Sequence, residues 1–352
     1  MSERSSSWEE IFEKLRGRVD LSDQQITWSM LQILDGLASN DQIKDFLLLL
    51  KEKGERASEV RALVDVMYQR GTPIDIPDRA VDIVGTGGDG ASTINISTTA
   101  AIITTAAGAR TIKHGNRAAS SKSGAADLLE ALGIDISLGA KQVEECVRRI
   151  GIGFAFAPVF HPAMKNAASA RRELATPTVF NILGPLANPA KPKAVAIGVA
   201  RAELLELVAR VSAERGSEGF IFRGDDGLDE ISLCTTSTIY QISKGEMSKD
   251  VFDPRELGLE LASIEELKGG SPEENAAIAR GIFAGKGGAY RQAVLLNAAA
   301  AIAAFEADFH LGITQQLANG YTLAKQAIDS GAAAQLVERW ANLSTELAKS
   351  SL

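Results

Sequence analysis

Apolar residues recur at three- and four-residue spacing from residue 7 to residue 68, beginning with Trp8, Ile11 and Leu15. This spacing is typical of amphipathic helices. Serine or asparagine before a periodic run and glycine after it mark the helix ends, and prolines at 73 and 77 then predict an extended linker. Residues 1–77 are therefore expected to form a small all-helical domain. Its predicted helices are one that begins near Trp8, then 23–34, 41–53 and 59–70.

Beyond residue 78 short apolar runs alternate with helical periods, which predicts an α/β domain over 78–352 with a mostly parallel central sheet. The proline-rich stretch 180–193 is expected to be irregular and to cross between the domains, while helices within about 163–190 are expected to join the helical domain. The predicted strands are 81–84, 151–160, 194–199, 219–222 and 235–242. The predicted helices are 95–107, 127–132, 140–150, 163–174, 202–215, 273–283, 290–305, 315–329 and 332–348, with 254–258 as a loop.

The first predicted strand runs into the glycine-rich turn Gly85–Gly90, with sequence GTGGDG. Glycines let backbone N–H groups approach a polyphosphate, and the helix that starts at Asn95, capped by Asn95 or nearby hydroxyls, would direct further N–H donors at the same anion. The turn is neither a P-loop nor a dinucleotide fingerprint, because no Gly-Lys-Ser/Thr follows and the glycines are spaced differently. It predicts a phosphate site of another kind.

A second turn-rich stretch, 113–124, brings Lys113, Arg117 and Lys122 together with several serines. Two tight turns with exposed polar side chains would give the same pattern without any ligand. Two such loops in one chain nevertheless favour a polyphosphate ligand over one loop alone.

Acidic residues are concentrated in a third loop, which holds Asp225, Asp226, Asp229 and Glu230. Acids in turns are usually solvated surface. Magnesium, however, binds one or two carboxylates together with water and substrate phosphates. Because a polyphosphate usually arrives with magnesium, the loop is a candidate metal site.

Composition narrows the choice of partner and compartment. The net charge of −8 argues against a nucleic-acid-binding protein. Cys146 and Cys234 have no metal-like spacing, which fits a reducing compartment, and no apolar signal or membrane-spanning run is evident. We expect a cytoplasmic protein that does not bind a membrane.

The motifs GTGGDG, NIST, KHGNRxxSSKxG, HPAM, FNILGPLANP and DDGLDEIS occur in this order. Together they closely resemble the anthranilate phosphoribosyltransferase family, from about Trp8 to Trp340. The resemblance implies the nucleoside phosphorylase/phosphoribosyltransferase class of fold, a homodimer formed through the helical domain, and a role in tryptophan biosynthesis. The implied reaction joins phosphoribosyl pyrophosphate (PRPP) to the amino group of anthranilate and releases diphosphate.

Matching the family's motifs implies roles for individual residues. Asp229, Glu230 and Ser97 match the magnesium ligands, and two ions are expected. Ala125 stands where the family commonly has serine, so a hydroxyl contact from that position is missing or replaced. The residues assigned to PRPP are Gly85, Gly88, Asp89, Thr93, Asn95, Ser97, Thr98, Lys113, Asn116 and Ser121.

The anthranilate site is expected to contain Gly85, His114, Asn116, His161 and Arg171. A guanidinium binds a carboxylate through two parallel hydrogen bonds, and the family match favours Arg171 over Arg172. A surface arginine and structural histidines are the alternatives.

The implied reaction needs no strong base, because an arylamine is uncharged at neutral pH. No residue is therefore assigned as a general base, and catalysis is expected to rest on holding the substrates in line and stabilising the departing diphosphate. Two other functions fit parts of the pattern. A pyrimidine nucleoside phosphorylase does not account for the acidic loop, and a non-catalytic nucleic-acid-binding relative predicts a basic surface.

Overall fold

The computed structural model describes residues 6–118 and 122–350. The chain begins with four helices, and Ser22 and Ser39 cap the second and third by accepting from the N–H groups of Gln25 and Gln42. A terminal glycine, Gly54, ends the third as expected. These helices are α1 (Trp8–Arg16), α2 (Asp23–Leu34), α3 (Asn40–Lys53) and α4 (Ala57–Arg70).

In the described residues seven strands form one sheet in the order β3-β2-β1-β4-β5-β6-β7. The run from β3 to β5 is parallel, and β6 and β7 extend it as an antiparallel hairpin. The prediction of a mostly parallel α/β sheet beside a helical bundle is confirmed. The strands are β1 (Val81–Gly85), β2 (Thr111–Gly115), β3 (Ile152–Phe156), β4 (Ala194–Gly198), β5 (Glu218–Gly224), β6 (Ser237–Ser243) and β7 (Glu246–Phe252).

Helices cover both faces of the sheet, as parallel strands require. The most buried is α13, an alanine-rich helix against which α14 and α5 pack. The remaining helices are α5 (Ile96–Ala106), α6 (Ala125–Ala131), α7 (Ala140–Ile150), α8 (Ala157–Phe160), α9 (Ala168–Leu174), α10 (Phe180–Leu186), α11 (Ala202–Glu214), α12 (Pro272–Phe283), α13 (Ala289–Glu306), α14 (Ile313–Asp329) and α15 (Ala332–Lys349).

The hydrophobic core has two parts. One lies under the face of the sheet that α5 and α13 cover. The other joins the apolar faces of α1–α4 to α10, α11 and the opposite face of the sheet. The 3₁₀ helix Pro162–Ala167 packs on α2 and the following α9 packs on α3, so this connection lies against the N-terminal helices.

The structure departs from several predicted elements, and β2 contains the first residues of the stretch 113–124, which was expected to be a turn-rich loop. The strand predicted over 151–160 ends at Phe156, where α8 begins with Pro158 in its first turn, a position that needs no N–H. The proline-rich stretch contains α10, because Pro185 lies near the end of this helix and removes few of its backbone hydrogen bonds. Edge strand β7 has largely exposed, polar residues and was not predicted, and 254–257 is a 3₁₀ helix rather than a loop.

A search of the described residues for a helix long and apolar enough to cross a bilayer found no candidate.

Candidate active site

The carboxyl ends of the parallel strands bring the predicted loops to one edge of the sheet. Two of these strand ends are glycines that leave room for Asp229. A Cβ atom on Gly85 would lie 2.1 Å from Asp229 Oδ2, and one on Gly198 would lie 1.7 Å from the Asp229 carbonyl oxygen. Glycine at both positions is therefore a steric requirement of the acidic loop.

The acidic loop is joined directly to the first glycine loop and to α5. Asp229 Oδ2 accepts from the Gly87 N–H at 2.6 Å, and Glu230 Oε1 accepts from the Ser97 N–H at 3.2 Å. Gly87 and Gly88 have φ of 70° and 85°, a region that favours glycine. The Gly88 N–H has no acceptor within the described part of the chain, which leaves it available to a ligand oxygen.

Asn95 occupies the N-cap position of α5, but its side chain makes no capping bond there. The Ser97 N–H, expected to face a bound anion, is instead taken by Glu230. The side chain of Asn95 donates to the Ser123 carbonyl and accepts from Ser123 Oγ and Asn275 Nδ2, at 2.9–3.0 Å. It thereby joins α5 to the second loop and to α12.

The remaining acids of the third loop have structural partners. Asp225 accepts from the hydroxyls of Thr236 and Thr238, and Asp226 accepts from Ser232 Oγ at 2.6 Å. Of these four acids, Asp229 bonds to the glycine loop and Glu230 bonds to α5.

Negative charge is concentrated around Asp229. Burial, together with the charge of Asp89, raises the pKa of Asp229 to about 7. Burial and the charge of Asp229 raise the pKa of Glu230 well above its usual range. Buried carboxylates that are short of positive partners fit a divalent cation. Asp89 also orders its own turn by accepting from the Ala91 N–H.

No cluster of three or more histidine, cysteine, aspartate or glutamate side chains suited to a metal occurs in the described ranges. Magnesium does not need such a cluster, because it keeps several waters and binds substrate phosphates. Two carboxylates and the Ser97 hydroxyl therefore fit magnesium better than zinc.

Lys113 is 2% exposed and lies between the first glycine loop and α5. Its Nζ donates to the Ile83 carbonyl at 2.5 Å and to Ser97 Oγ at 3.3 Å. Burial lowers the pKa of Lys113, while the charges of Asp82, Glu230 and Asp229 oppose that shift. This lysine places positive charge beside the predicted metal ligands.

The other predicted donor residues occupy different environments. Thr93 bridges to Lys268, Thr98 is buried in α5, and Asn116 is exposed at the start of the second loop. Arg117 has protein partners, because its guanidinium forms ion pairs with Asp127 and Glu130. Ser121 lies outside the described residues.

His114 and His161 are buried neighbours, with ring centroids 5.3 Å apart. His114 Nδ1 lies 2.8 Å from the Gly184 carbonyl, so it carries the proton and leaves Nε2 as an acceptor. That Nε2 is buried without a partner in the part of the chain that the structure describes. Burial lowers the pKa of His114 to about 3 and also lowers the pKa of His161, so both rings are neutral at pH 7.

Arg171 is exposed on α9 and has no carboxylate partner among the described residues. Surrounding protein atoms lower the pKa of its guanidinium, which remains charged at neutral pH. Glu173 anchors the same helix to α3 through Lys44 at 2.9 Å and Asn40 at 2.6 Å. The described contacts do not join Arg171 to the glycine loops. Together with His161 and Gly184 it belongs to the single connection between β3 and β4.

Two supporting residues were missed by the sequence reasoning. Asn297 on α13 accepts from the Ile231 N–H at 2.8 Å and donates to the Ile231 carbonyl, which fixes the residue after Glu230. Asn275 on α12 holds Asn95 and accepts from the Gly270 N–H. The available signal for Asn297 was an isolated amide within the apolar run LLNAAAAIAAF.

Comparison with known proteins assigns this fold and site to a class. Residues 9–71 match the glycosyl transferase family helical bundle domain, and residues 77–334 match the glycosyl transferase family a/b domain. The protein is thus a glycosyltransferase built from these two units.

Individual relatives narrow the class further. Anthranilate phosphoribosyltransferase of Rhodococcus jostii is 50% identical over 98% of this chain and 95% of the relative. The crystal structure of the Thermus thermophilus enzyme superposes with a TM-score of 0.88 at 38% identity, over 95% of this chain and 99% of the other.

The enzyme of Saccharomyces cerevisiae in complex with PRPP and Mg has a TM-score of 0.87 at 28% identity, over 96% of this chain and 98% of the other. Its complex with 4-fluoroanthranilate has a TM-score of 0.85 at 26% identity, over 97% and 99%. The chain belongs to the anthranilate phosphoribosyltransferase family and has that family's activity in tryptophan biosynthesis.

Proposed function

We propose that PRPP and anthranilate are the substrates of this chain and that they meet at the carboxyl edge of the sheet. The observation that carries the proposal is the direct junction of acidic loop and glycine loop, through Asp229 with Gly87 and Glu230 with Ser97. The yeast relative's complex with PRPP and Mg supports the choice of donor. Its complex with 4-fluoroanthranilate supports the choice of acceptor.

In this proposal the donor's diphosphate lies against the first glycine loop, where the free Gly88 N–H and the charge of Lys113 stabilise it. Asp229, Glu230 and the Ser97 hydroxyl would hold magnesium. Bound there, magnesium neutralises charge on the departing diphosphate. Two ions are proposed, because Asp229 and Glu230 have different partners, the Gly87 N–H and the Ser97 N–H.

The donor contacts extend along the same edge. Asp89 accepts from hydroxyl groups of the donor, and Asn116 lies between the two substrates with both a donor and an acceptor group. The further residues proposed to line the donor site are Gly85, Thr93, Asn95, Thr98 and Ser121.

The acceptor is proposed to lie across from the donor, near the connection between β3 and β4. Arg171, charged and unpaired in the described residues, binds the carboxylate of anthranilate. The partnerless Nε2 of His114 accepts a hydrogen bond from the amino group. His161 packs edge to face against that ring and fixes its plane. Gly85, at the end of β1, is proposed to complete the acceptor site.

The reaction then proceeds by a single displacement. The amino nitrogen forms a bond to C1 of the ribose as the bond from C1 to the diphosphate oxygen breaks, and diphosphate leaves with the electron pair. The nitrogen releases one proton to solvent. His114, with a pKa of about 3, orients the amine without acting as a strong base.

The test uses the purified full chain with anthranilate, PRPP and magnesium, and follows anthranilate fluorescence. Loss of fluorescence that requires all three is expected. No loss at high enzyme concentration would reject the proposed substrates. Phosphorolysis of uridine or thymidine instead would identify a nucleoside phosphorylase, and a shift of single-stranded DNA in a gel at moderate salt would favour a nucleic-acid-binding relative.

The metal assignment is tested with the double variant Asp229→Asn/Glu230→Gln. We expect a turnover reduced at least about 100-fold and a weaker dependence on magnesium, because the carboxylates that hold the ion are gone. Asp225→Asn is the matched control, since Asp225 lies in the same loop but bonds to Thr236 and Thr238. An unchanged magnesium titration in the double variant contradicts the assignment.

We also propose a homodimer formed through the helical unit and a cytoplasmic location. Val19 and Leu37 are exposed large apolar side chains on that unit, 51% and 67% accessible. The resemblance to the family carries this proposal, since single exposed apolar side chains are normal on a protein surface.

A further inference from the structure

Strand β1 pairs very differently with its two neighbours. Its register with β4 runs through all its residues, from Val81 opposite Ala194 to Gly85 opposite Gly198. Its register with β2 consists of Val81 opposite Thr111 alone. Strand β2 in turn pairs with β3 from Thr111 to Gly115, so the interruption is confined to the space between β1 and β2.

Buried backbone groups need hydrogen-bond partners, so the interrupted ladder must be completed by other atoms. Three side chains do this. The His114 N–H donates to Asp82 Oδ1 at 3.2 Å, and the Ile112 carbonyl accepts from Asn188 Nδ2 at 2.8 Å. On the side of β1, the Ile83 carbonyl accepts from Lys113 Nζ, and the Ile83 N–H bonds to Asp82.

Asp82 and Asn188 act as one unit in this arrangement. Asn188 Nδ2 also donates to Asp82 Oδ2 at 2.9 Å, and Asn188 Oδ1 accepts from the Ala190 N–H at 3.0 Å. The two side chains are 1% and 3% exposed. Burying a carboxylate this deeply is costly unless it is hydrogen-bonded, and here Asn188 Nδ2 and the N–H groups of Ile83 and His114 share that task.

The interrupted pairing lies directly beneath the candidate active site. β1 leads into the first glycine loop, and β2 carries Lys113 and His114 and leads into the second loop. A continuous ladder would bring these two loops as close as paired strands allow, about 5 Å apart. Where side chains replace backbone pairs, the spacing of the two strand ends depends on Asp82, Asn188 and Lys113 rather than on the ladder.

We propose that Asp82 and Asn188 are positioning residues for the transfer reaction: they replace the ladder between β1 and β2 and thereby set the place of Lys113 beside the donor. The proposal rests on the proposed function for the role of Lys113. Neither Asp82 nor Asn188 is proposed to touch a substrate.

The test is the variant Asp82→Asn. Whichever way its amide points, the new NH₂ faces a hydrogen-bond donor, either Asn188 Nδ2 or the N–H groups of Ile83 and His114. We expect kcat to fall about 10- to 100-fold, the cost typical of a displaced reacting group, and the KM for PRPP to rise severalfold. The KM for anthranilate should change less than about twofold, because Gly184 and His161 fix the His114 ring independently.

Glu59→Gln is the matched control. Glu59 is another carboxylate, 1% exposed, that accepts from the Leu21 N–H, the Arg56 N–H and Lys53 Nζ, but it belongs to the helical unit. It is expected to lower the unfolding temperature without changing kcat or the ratio of the two KM values. If Asp82→Asn behaves like Glu59→Gln in every kinetic constant, Asp82 is merely structural and the proposal is wrong.

Asn188→Ala provides a second variant if Asp82→Asn does not fold. It removes the donor to Asp82 and to the Ile112 carbonyl, so the KM for PRPP is again expected to rise while the KM for anthranilate changes little. If the ratio of the two KM values stays at its wild-type value, the proposal is wrong. If the proposed function itself is wrong, the wild-type protein lacks the transfer activity altogether. This result distinguishes that outcome from a failure of the positioning proposal.

Discussion

Two adjacent arginines on α9, Arg171 and Arg172, allow the acceptor assignment to be tested at single-residue resolution. Both are exposed, and surrounding protein lowers the pKa of Arg171. We expect Arg171→Ala to raise the KM for anthranilate about 10- to 100-fold, since hydrogen bonds to a charged group contribute about 1.5–3 kcal/mol. The KM for PRPP should change little. Steady-state kinetics with each substrate varied in turn measures both constants.

Arg172→Ala is the control for this prediction and should leave both KM values within about twofold, as is usual for an exposed side chain. Equal effects of Arg171→Ala on the two substrates would remove Arg171 from the acceptor site.

Which residues could be predicted from the sequence depends on how far away their partners lie. Asp229 and Glu230 stand out because acids cluster in their own loop. Asp82 does not stand out, because it is one acid in an apolar strand and its partner Asn188 lies 106 residues further along the chain. Asn297 likewise bonds to Ile231, 66 residues before it. Such partners are known only once the strands and helices are assembled.

At the level of elements, periodicity predicted the long helices closely, and α7 has the predicted bounds, Ala140–Ile150. The buried residues of α7, Val143, Cys146 and Val147, recur at three- and four-residue spacing. The errors concern short elements whose residues have conflicting preferences, such as α10 with its internal Pro185 and the polar edge strand β7. There the tertiary environment, rather than the local pattern, decides the conformation.

The glycine at the end of β4 supports a prediction about element packing. A Cβ atom on Gly198 would overlap the Asp229 backbone, so Gly198→Ala must move the acidic loop away from β4. We expect the free energy of unfolding to fall by about 1–3 kcal/mol, as for other overpacked sites, and turnover to fall at least about tenfold. Urea unfolding and the fluorescence assay measure the two effects.

Gly287→Ala is the appropriate comparison, because a Cβ atom there would meet open space. It should change stability by no more than about 0.5 kcal/mol and leave turnover intact. If Gly198→Ala were equally harmless, the position of Asp229 would not depend on the absence of a side chain at the end of β4.

At the scale of the whole molecule, the buried neutral His114 links folding to pH. Folding lowers its pKa from an ordinary value near 6.5 to about 3. Its contribution to stability is therefore complete above pH 6.5 and is lost as the pH falls below that value, by about 1.4 kcal/mol per unit. The variant His114→Gln keeps a donor for Gly184 and lacks this titration.

The measurement is the difference in unfolding free energy between wild type and His114→Gln from pH 5 to pH 8. Other titrating groups cancel in this difference, including Asp229, whose raised pKa has the opposite effect. We expect the unfolding free energy of the variant to rise relative to that of the wild type as the pH falls. A difference that stays constant with pH would mean that His114 is protonated equally in both states.

In the proposed function the two substrates contact different parts of the chain. The proposed donor contacts come from strand ends and loops spread along the sheet, while His161, Arg171 and Gly184 share the one connection between β3 and β4. Two of the proposed acceptor contacts, His161 and Arg171, are therefore encoded in a short contiguous stretch of the gene, apart from Gly85, His114 and Asn116. A mutant library restricted to codons 161–187 would search for enzymes that accept other aromatic amines while leaving the diphosphate chemistry untouched.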